Sequence, residues 1–341
     1  MLDVRIDGLD AGAMDAARAE LDRKTKPRGS LGRLEELAVR LAGIGVNGQR
    51  CAIVVAAADH GYADEGVSAY PAEVTRQMLK VFASGGAAIS VLSRLVGAEL
   101  VVVDAGVRDE LGDPRVRSIR IGAGTANAAQ GAAMSRQQAL AALEAGALLA
   151  RELAGRVDIV ALGDMGIGNT TAAGALHAAL LGVPAAAVCG PGTGLDPGGV
   201  RRKAEVIERA LVANDQVGDD PIDVLAAFGG FEIALLAGVA LGAAAERRAV
   251  VLDGFIVTAA ALVAARLEPA VVEYLIAGHL SPEPGHRLGL DALGLAPLLD
   301  LELRLGEGTG AALALPLLQA ALALLAEMAT FDEAGVTDAG R

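Results

Sequence analysis

The chain has 341 residues, 53% of them hydrophobic and 21% charged, enough to bury a sizeable core in one large domain or a large and a small one, and too apolar for disorder. A net charge of −13 excludes a nucleic-acid partner, whose phosphates need a basic face, yet allows one small anionic substrate held by a few cations or helix N-termini. Trp is absent and aromatics make up 2%, so a planar ligand would be gripped by aliphatic side chains and backbone rather than by stacking.

In chain order, MLDVRIDGLDAG carries acids where a secretion signal needs a basic start and an apolar stretch, which points to a cytoplasmic protein. Ser30 is placed to cap a helix in which Leu34, Leu37, Ala38 and Leu41 recur at helical spacing. Five apolar, largely β-branched runs follow: CAIVVAAADHG (51–61), AELVVVDAGV (98–107), VDIVALGDMG (157–166), AVVLDGF (249–255) and VVEYLIAGH (271–279). Runs apolar throughout, each ending in a polar residue or Gly, suit parallel strands covered on both faces. Helical patterns lie between them, as in 134–155, where Leu140, Leu143, Ala147 and Leu148 share a face. The alternation predicts an α/β fold with a doubly wound, mostly parallel, Rossmann-like sheet. Ligands then belong beyond the carboxyl ends of the strands, where Asp59, His60, Asp104, Asp164, Asp253 and His279 fall.

Two segments, 233–245 and 309–326, are apolar enough to raise the question of a membrane span. The first is short and rich in Ala and Gly, and the second holds Pro316 and Gln319 without a basic flank, so both are expected to be buried core helices. The last helix should run from Thr309 to about Met328. Both chain ends, 1–48 and 305–341, are expected to join in a smaller helical domain over the rim of a large α/β domain spanning 49–304. Cys51 and Cys189 each border an apolar run and are expected to be reduced, buried thiols.

Four segments offer chemistry at the rim. GDMGIGNTTAAGAL (163–176) joins a strand to a helix start through Gly163, Gly166 and Gly168, followed by Asn169, Thr170 and Thr171. This suits a phosphate or simply a tight turn, and it matches neither common nucleotide fingerprint. GPGTGLDPGG (190–199) precedes Arg201, Arg202 and Lys203: an anion cradle, or a loop before a solvated basic face. GHLSPEPGH (278–286) holds two histidines and Glu283, but at no zinc spacing, so polar contacts to substrate are expected and a metal is not. In LRLGEGTGAALALPLL (303–318), Glu307 stands between Gly306 and Gly308 at a helix start. It serves the helix dipole, or it points into a pocket as a catalytic carboxylate.

Taken together, KPRGSLGRLEELA (26–38), ADHGYADEGVSAYPAEVT (58–75), GTANAAQGAAMSR (124–136), GDMGIGNTTAA (163–173), GTGLD (192–196), GFEIALLAG (230–238), DGFIVTAAAL (253–262), GHLSPEPGH (278–286) and LRLGEGTGAALALPLL (303–318) resemble the nicotinate-nucleotide–dimethylbenzimidazole phosphoribosyltransferase family of vitamin B12 lower-ligand synthesis. They span nearly the whole chain in family order. The resemblance implies transfer of the phosphoribosyl group of nicotinate mononucleotide to 5,6-dimethylbenzimidazole, giving α-ribazole 5′-phosphate and nicotinate. A β-configured substrate becoming an α-configured product implies a single in-line displacement.

By resemblance Glu307 is the general base, and Asp164 matches a second acidic position at which the family often has Glu. Tyr70 and Met78 fall where the benzimidazole is met. Gly166, Gly168, Asn169, Gly192, Thr193, Gly194, Lys203 and Ser281 match the nucleotide side, Lys203 as phosphate partner, and Asp253 and Arg304 are expected to touch substrate as well. The resemblance implies no metal, no organic cofactor and a homodimer. A nucleotide-dependent oxidoreductase would want GxGxxG where this chain has DHGYADEG. A nucleotide carrier without chemistry would keep the glycine loops and be indifferent to Glu307.

Overall fold

The structure, a computed structural model, describes residues 4–192 and 194–337. Six strands form one sheet: β1 (Cys51–Ala58), β2 (Glu99–Gly106), β3 (Arg117–Ser118), β4 (Ile159–Met165), β5 (Ala249–Leu252) and β6 (Leu275–Ala277). Their order is β3-β2-β1-β4-β5-β6 and every pairing is parallel. This is the expected doubly wound α/β sheet. All eight residues of β1 are buried, as a central strand covered on both faces requires. The strand order reverses between β1 and β4, where such sheets open a crevice at the carboxyl ends.

The local readings differ in three places. β3 carries no sequence signal: its two residues are polar and exposed, so no apolar run marks it. The run 271–279 is only half strand, because Pro269 starts a 3-10 turn over Pro269–Tyr274 before β6, with the Glu268 side chain accepting from Ala270 N. Ser30 does not cap the helix that follows. That helix is Arg33–Ile44, entered through Gly32 at φ 55°, and the Glu35 carboxylate instead takes up the Leu31 N–H at 3.0 Å and the Lys26 ammonium at 2.7 Å.

The Arg136–Ala154 helix, which begins in a Ser135–Gln138 capping box, also buries a face shifted from that of Leu140, Leu143, Ala147 and Leu148. Leu148 is exposed, while Ala139, Leu143, Gly146, Ala150 and Leu153 are buried against the Phe231–Ala245 helix. Small residues win that face because the two backbones nearly touch. A Cβ at Gly146 would lie 2.0 Å from Leu235 O, and one at Gly238 would lie 2.1 Å from Leu143 O. Gly238→Ala is therefore expected to destabilise by about 1–3 kcal/mol through overpacking, against a helix-propensity gain of up to about 1 kcal/mol. Thermal unfolding checks this, and an unchanged midpoint would mean the helices separate freely.

The Phe231–Ala245 helix is buried on all sides, as expected for 233–245. The Thr309–Glu327 helix is long and apolar enough to span a membrane by composition, with mean hydropathy 1.8, but half of it is buried against β4, β5 and Arg33–Ile44. The stretch Glu73–Leu95 passes the same test yet is two helices, Glu73–Ser84 and Ala88–Leu95, separated at Gly85. The chain ends meet: Lys24 and Thr330 form an antiparallel bridge, and Thr25 N donates to Ala329 O at 3.0 Å. Cys51 and Cys189 are both free and buried.

Candidate active site

A cleft opens over the carboxyl ends of β4, β5 and β6. Asp164, Gly166, Gly168, Asn169, Gly192, Lys203, Ser281 and Arg304 all line it, so the structure brings together most of the residues singled out from sequence. Thr193 lies outside the described residues. Gly194, Tyr70, Met78, Asp253 and Glu307 are not part of the lining. Tyr70 is half exposed, tied by its N–H to Ser68 Oγ at 3.1 Å, and Ser68 does line the cleft. Met78 sits half-buried against the core on the Glu73–Ser84 helix. Asp253 is fully buried behind the cleft, its oxygens occupied by backbone N–H groups.

Lys203 brings a buried cation to the cleft wall. The Pro197–Ala213 helix is started by Asp196, whose carboxylate accepts from Gly199 N at 2.7 Å, and the helix carries Lys203 inward to 1% exposure. Its ammonium donates to Gly190 O at 3.1 Å and to Thr170 Oγ1 at 3.2 Å. An ammonium has three donors, so one remains for a ligand oxygen. Burial lowers the Lys203 pKa, opposed by the nearby Glu283 carboxylate. Glu283 Oε1 accepts from Gly192 N at 2.7 Å and so fixes the glycine loop beside the ammonium.

Asp164 brings a buried carboxyl to the same cleft. Asp164 closes β4 and Asn169, opening the next helix, donates to its Oδ2 at 2.9 Å. Burial pushes the Asp164 carboxyl well above the usual carboxylate range, and the charges of Asp253, Glu232 and Glu307 push the same way. A raised folded-state pKa stabilises the fold below the unfolded value and loses that contribution as pH rises through the folded value. Asp164→Asn is thus expected to raise the unfolding midpoint near pH 8, with the gain shrinking toward pH 5. A gain independent of pH would show that buried charge is not the cause.

Glu307 sits beside Asp164 in a turn whose three residues all have left-handed backbone: Gly306 φ 82°, Glu307 φ 62° and Gly308 φ 84°. A non-glycine residue there is strained and persists only where the surroundings fix it. Here Glu307 N donates to Asp164 O at 3.2 Å, and Thr309 Oγ1 donates to Gly306 O at 2.9 Å. The side chain is 5% exposed, the Ile89 N–H donates to its carboxyl, and Oε2 has no partner. Burial raises its pKa, the Ile89 N–H opposes, and the Asp253 charge adds to the rise.

Two further contacts at the site carry residues not singled out from sequence. Thr75 Oγ1, fully buried, accepts from Ile167 N at 3.1 Å and ties the Glu73–Ser84 helix to the glycine turn. Glu232 pairs with His60 at 2.7 Å, both side chains inaccessible. A signal for Glu232 is present in the sequence, as the one carboxylate inside an otherwise apolar helix.

The family described as Phosphoribosyltransferase matches residues 6–336. Curated relatives named nicotinate-nucleotide–dimethylbenzimidazole phosphoribosyltransferase include one from Desulforudis audaxviator, 54% identical across 98% of this chain and 97% of its own. Another, from Chloroflexus aggregans, is 56% identical across 97% and 95%. A crystal structure of the enzyme of that name from Thermus thermophilus superposes with a TM-score of 0.91 at 50% identity, over 97% of this chain and all of that one. A second, described as CobT from the same organism, gives 0.92 at 51% identity, over 96% and 99%. With a matching family over nearly its full length, and with relatives more than half identical, the chain belongs to the nicotinate-nucleotide–dimethylbenzimidazole phosphoribosyltransferase family and is a transferase.

Proposed function

We propose that this chain transfers the phosphoribosyl group of nicotinate mononucleotide to 5,6-dimethylbenzimidazole in a single in-line displacement, with Glu307 as general base. The observation that carries this reading is the polarity of the cleft. A buried ammonium with a donor to spare lines the cleft, and a buried carboxyl with an unpartnered oxygen, Glu307, stands behind the lining residues Asp164 and Gly306. Lys203, Thr170 and the Gly192 turn receive the phosphate, and Asn169, Gly166, Gly168 and Ser281 line the path to the ribose.

The bound nicotinate ring is cationic at its nitrogen and leaves as a neutral base. The incoming benzimidazole nitrogen attacks the anomeric carbon from the opposite face. Attack makes the far ring N–H acidic, and a carboxylate there accepts that proton, a contribution of about 10²–10⁴-fold, with alignment supplying more. Asp164, held toward its neutral form by burial, orients Asn169 on the ribosyl side of the cleft. Tyr70, next to the cleft-lining Ser68, and Met78, on the helix that Thr75 ties to the glycine turn, are read as the benzimidazole side, where the adaptable Met sets acceptor range.

Over the described residues, the chain ends 4–48 and 305–337 act as the smaller helical unit that carries Glu307 to the rim. The outward face of Thr309–Glu327, with Leu313, Pro316 and Leu317 only partly covered, supports a homodimer, and the protein works in the cytoplasm. The test is nicotinate release on incubation with nicotinate mononucleotide and dimethylbenzimidazole. Binding of both without release would sink the reading.

A further inference from the structure

The proposed chemistry needs the Glu307 carboxylate held in one place and kept basic. Asp253 follows β5, and its hydrogen bonds lead to the turn that carries Glu307. Its Oδ2 accepts from Gly308 N at 3.1 Å, and its Oδ1 accepts from Gly310 N at 2.7 Å and Ala311 N at 3.0 Å. These N–H groups belong to the entry of the Thr309–Glu327 helix, where Gly308 supplies no side-chain cap and orphan donors would otherwise remain. His279 Nε2 stands 3.5 Å from Oδ1, and its ring lies against the helix backbone so closely that a Cβ at Gly310 would be 1.9 Å from it.

The two N–H groups on either side of the Glu307 Cα are therefore held by adjacent strand ends: its own by Asp164 O near the end of β4, the next by Asp253 after β5. A helix entry needs only a short exposed acceptor such as Ser or Asp at the cap position. Placing a buried carboxylate within reach of two other buried carboxyls is costly by comparison. A role confined to capping does not explain that choice.

We infer that Asp253, backed by His279, is a positioning residue for Glu307: it anchors the left-handed turn from which the Glu307 carboxyl hangs. The inference rests on Glu307 being the base. The ionisable groups facing this corner are Asp164 from β4, Glu232 from the Phe231–Ala245 helix with its partner His60 from the end of β1, His279 with His286 behind it, and Arg304 on the same segment as Glu307. The Ala88–Leu95 helix contributes the Ile89 N–H.

Two variants separate placement from charge, with nicotinate release followed from about pH 5 to about pH 9 and folding checked by thermal unfolding. Asp253→Asn keeps the shape and removes the charge. Its kcat is expected to fall on the order of 10²-fold, the effect of a small misplacement, and the acid limb of kcat is expected to move to lower pH because a like charge has been removed. Asp253→Glu keeps the charge and displaces the turn, so kcat falls while the acid limb stays. Titration of the benzimidazole substrate is common to all three enzymes, so any displacement of the limb belongs to the protein.

A wild-type kcat in Asp253→Asn, or a lowered kcat with an unmoved limb, overturns the inference. Should Asp253→Asn not fold, a wild-type kcat in Asp253→Glu overturns it. Glu307→Gln run in parallel separates the two levels. Full turnover there removes the base assignment itself, whereas an inactive Glu307→Gln beside an unaltered Asp253→Asn removes only the role given to Asp253.

Discussion

Glu307→Gln is expected to lower kcat by about 10²–10⁴-fold while benzimidazole binding survives. The amide keeps the size of the side chain and can still accept from the Ile89 N–H, but it cannot take a proton. Single-turnover nicotinate release measures the chemical step, and equilibrium binding of dimethylbenzimidazole measures what is retained. Because burial and the Asp253 charge raise the Glu307 pKa, the wild-type rate should be lost as pH falls through a value above that of a free glutamate, and the variant should lack this limb. The folded protein should be at least as stable after the change, since a carboxylate that burial disfavours has been removed. Near wild-type turnover would end the assignment of Glu307 as base.

Lys203→Met is expected to raise KM for nicotinate mononucleotide on the order of 10²-fold, the size of effect seen when one partner of a buried charged pair is lost. Met fills the space of the lysine stem, so the Pro197–Ala213 helix should keep its packing. What disappears is the donor pair to Gly190 O and Thr170 Oγ1 and the third donor directed into the cleft. KM for the benzimidazole should change little, because the Asp164 and Glu307 carboxyls are untouched. Lys203→Arg should not rescue binding, since a planar fork does not fit a site shaped around a 1% exposed ammonium. An unchanged KM would take Lys203 out of the phosphate site.

Composition and pattern suffice for the α/β class, for five of the six strands, for the buried Phe231–Ala245 helix and for the polar rim. These are local properties: a fully apolar run needs cover on both faces, and its polar terminus marks the open end. Glu307 is legible for a similar reason, since glycines on both sides of a carboxylate are visible without coordinates.

Other features depend on which segments meet. The spacing of Leu140, Leu143 and Leu148 suggests one helix face, but contact with Phe231–Ala245 selects the face of Ala139, Leu143, Gly146, Ala150 and Leu153, because two backbones that nearly touch leave no room for a side chain at Gly146. Asp253 reads as a rim residue from its place after a strand. Only the fold turns it away from the cleft and onto the N–H groups of a helix more than fifty positions later. The sequence alone determined the parallel sheet and the rim, and it offered Glu307 as a candidate whose role came from the family resemblance. The tertiary structure decided that Glu307 hangs in a left-handed turn between two strand ends, because hydrogen bonds and buried charges between residues far apart in the chain leave no periodic trace.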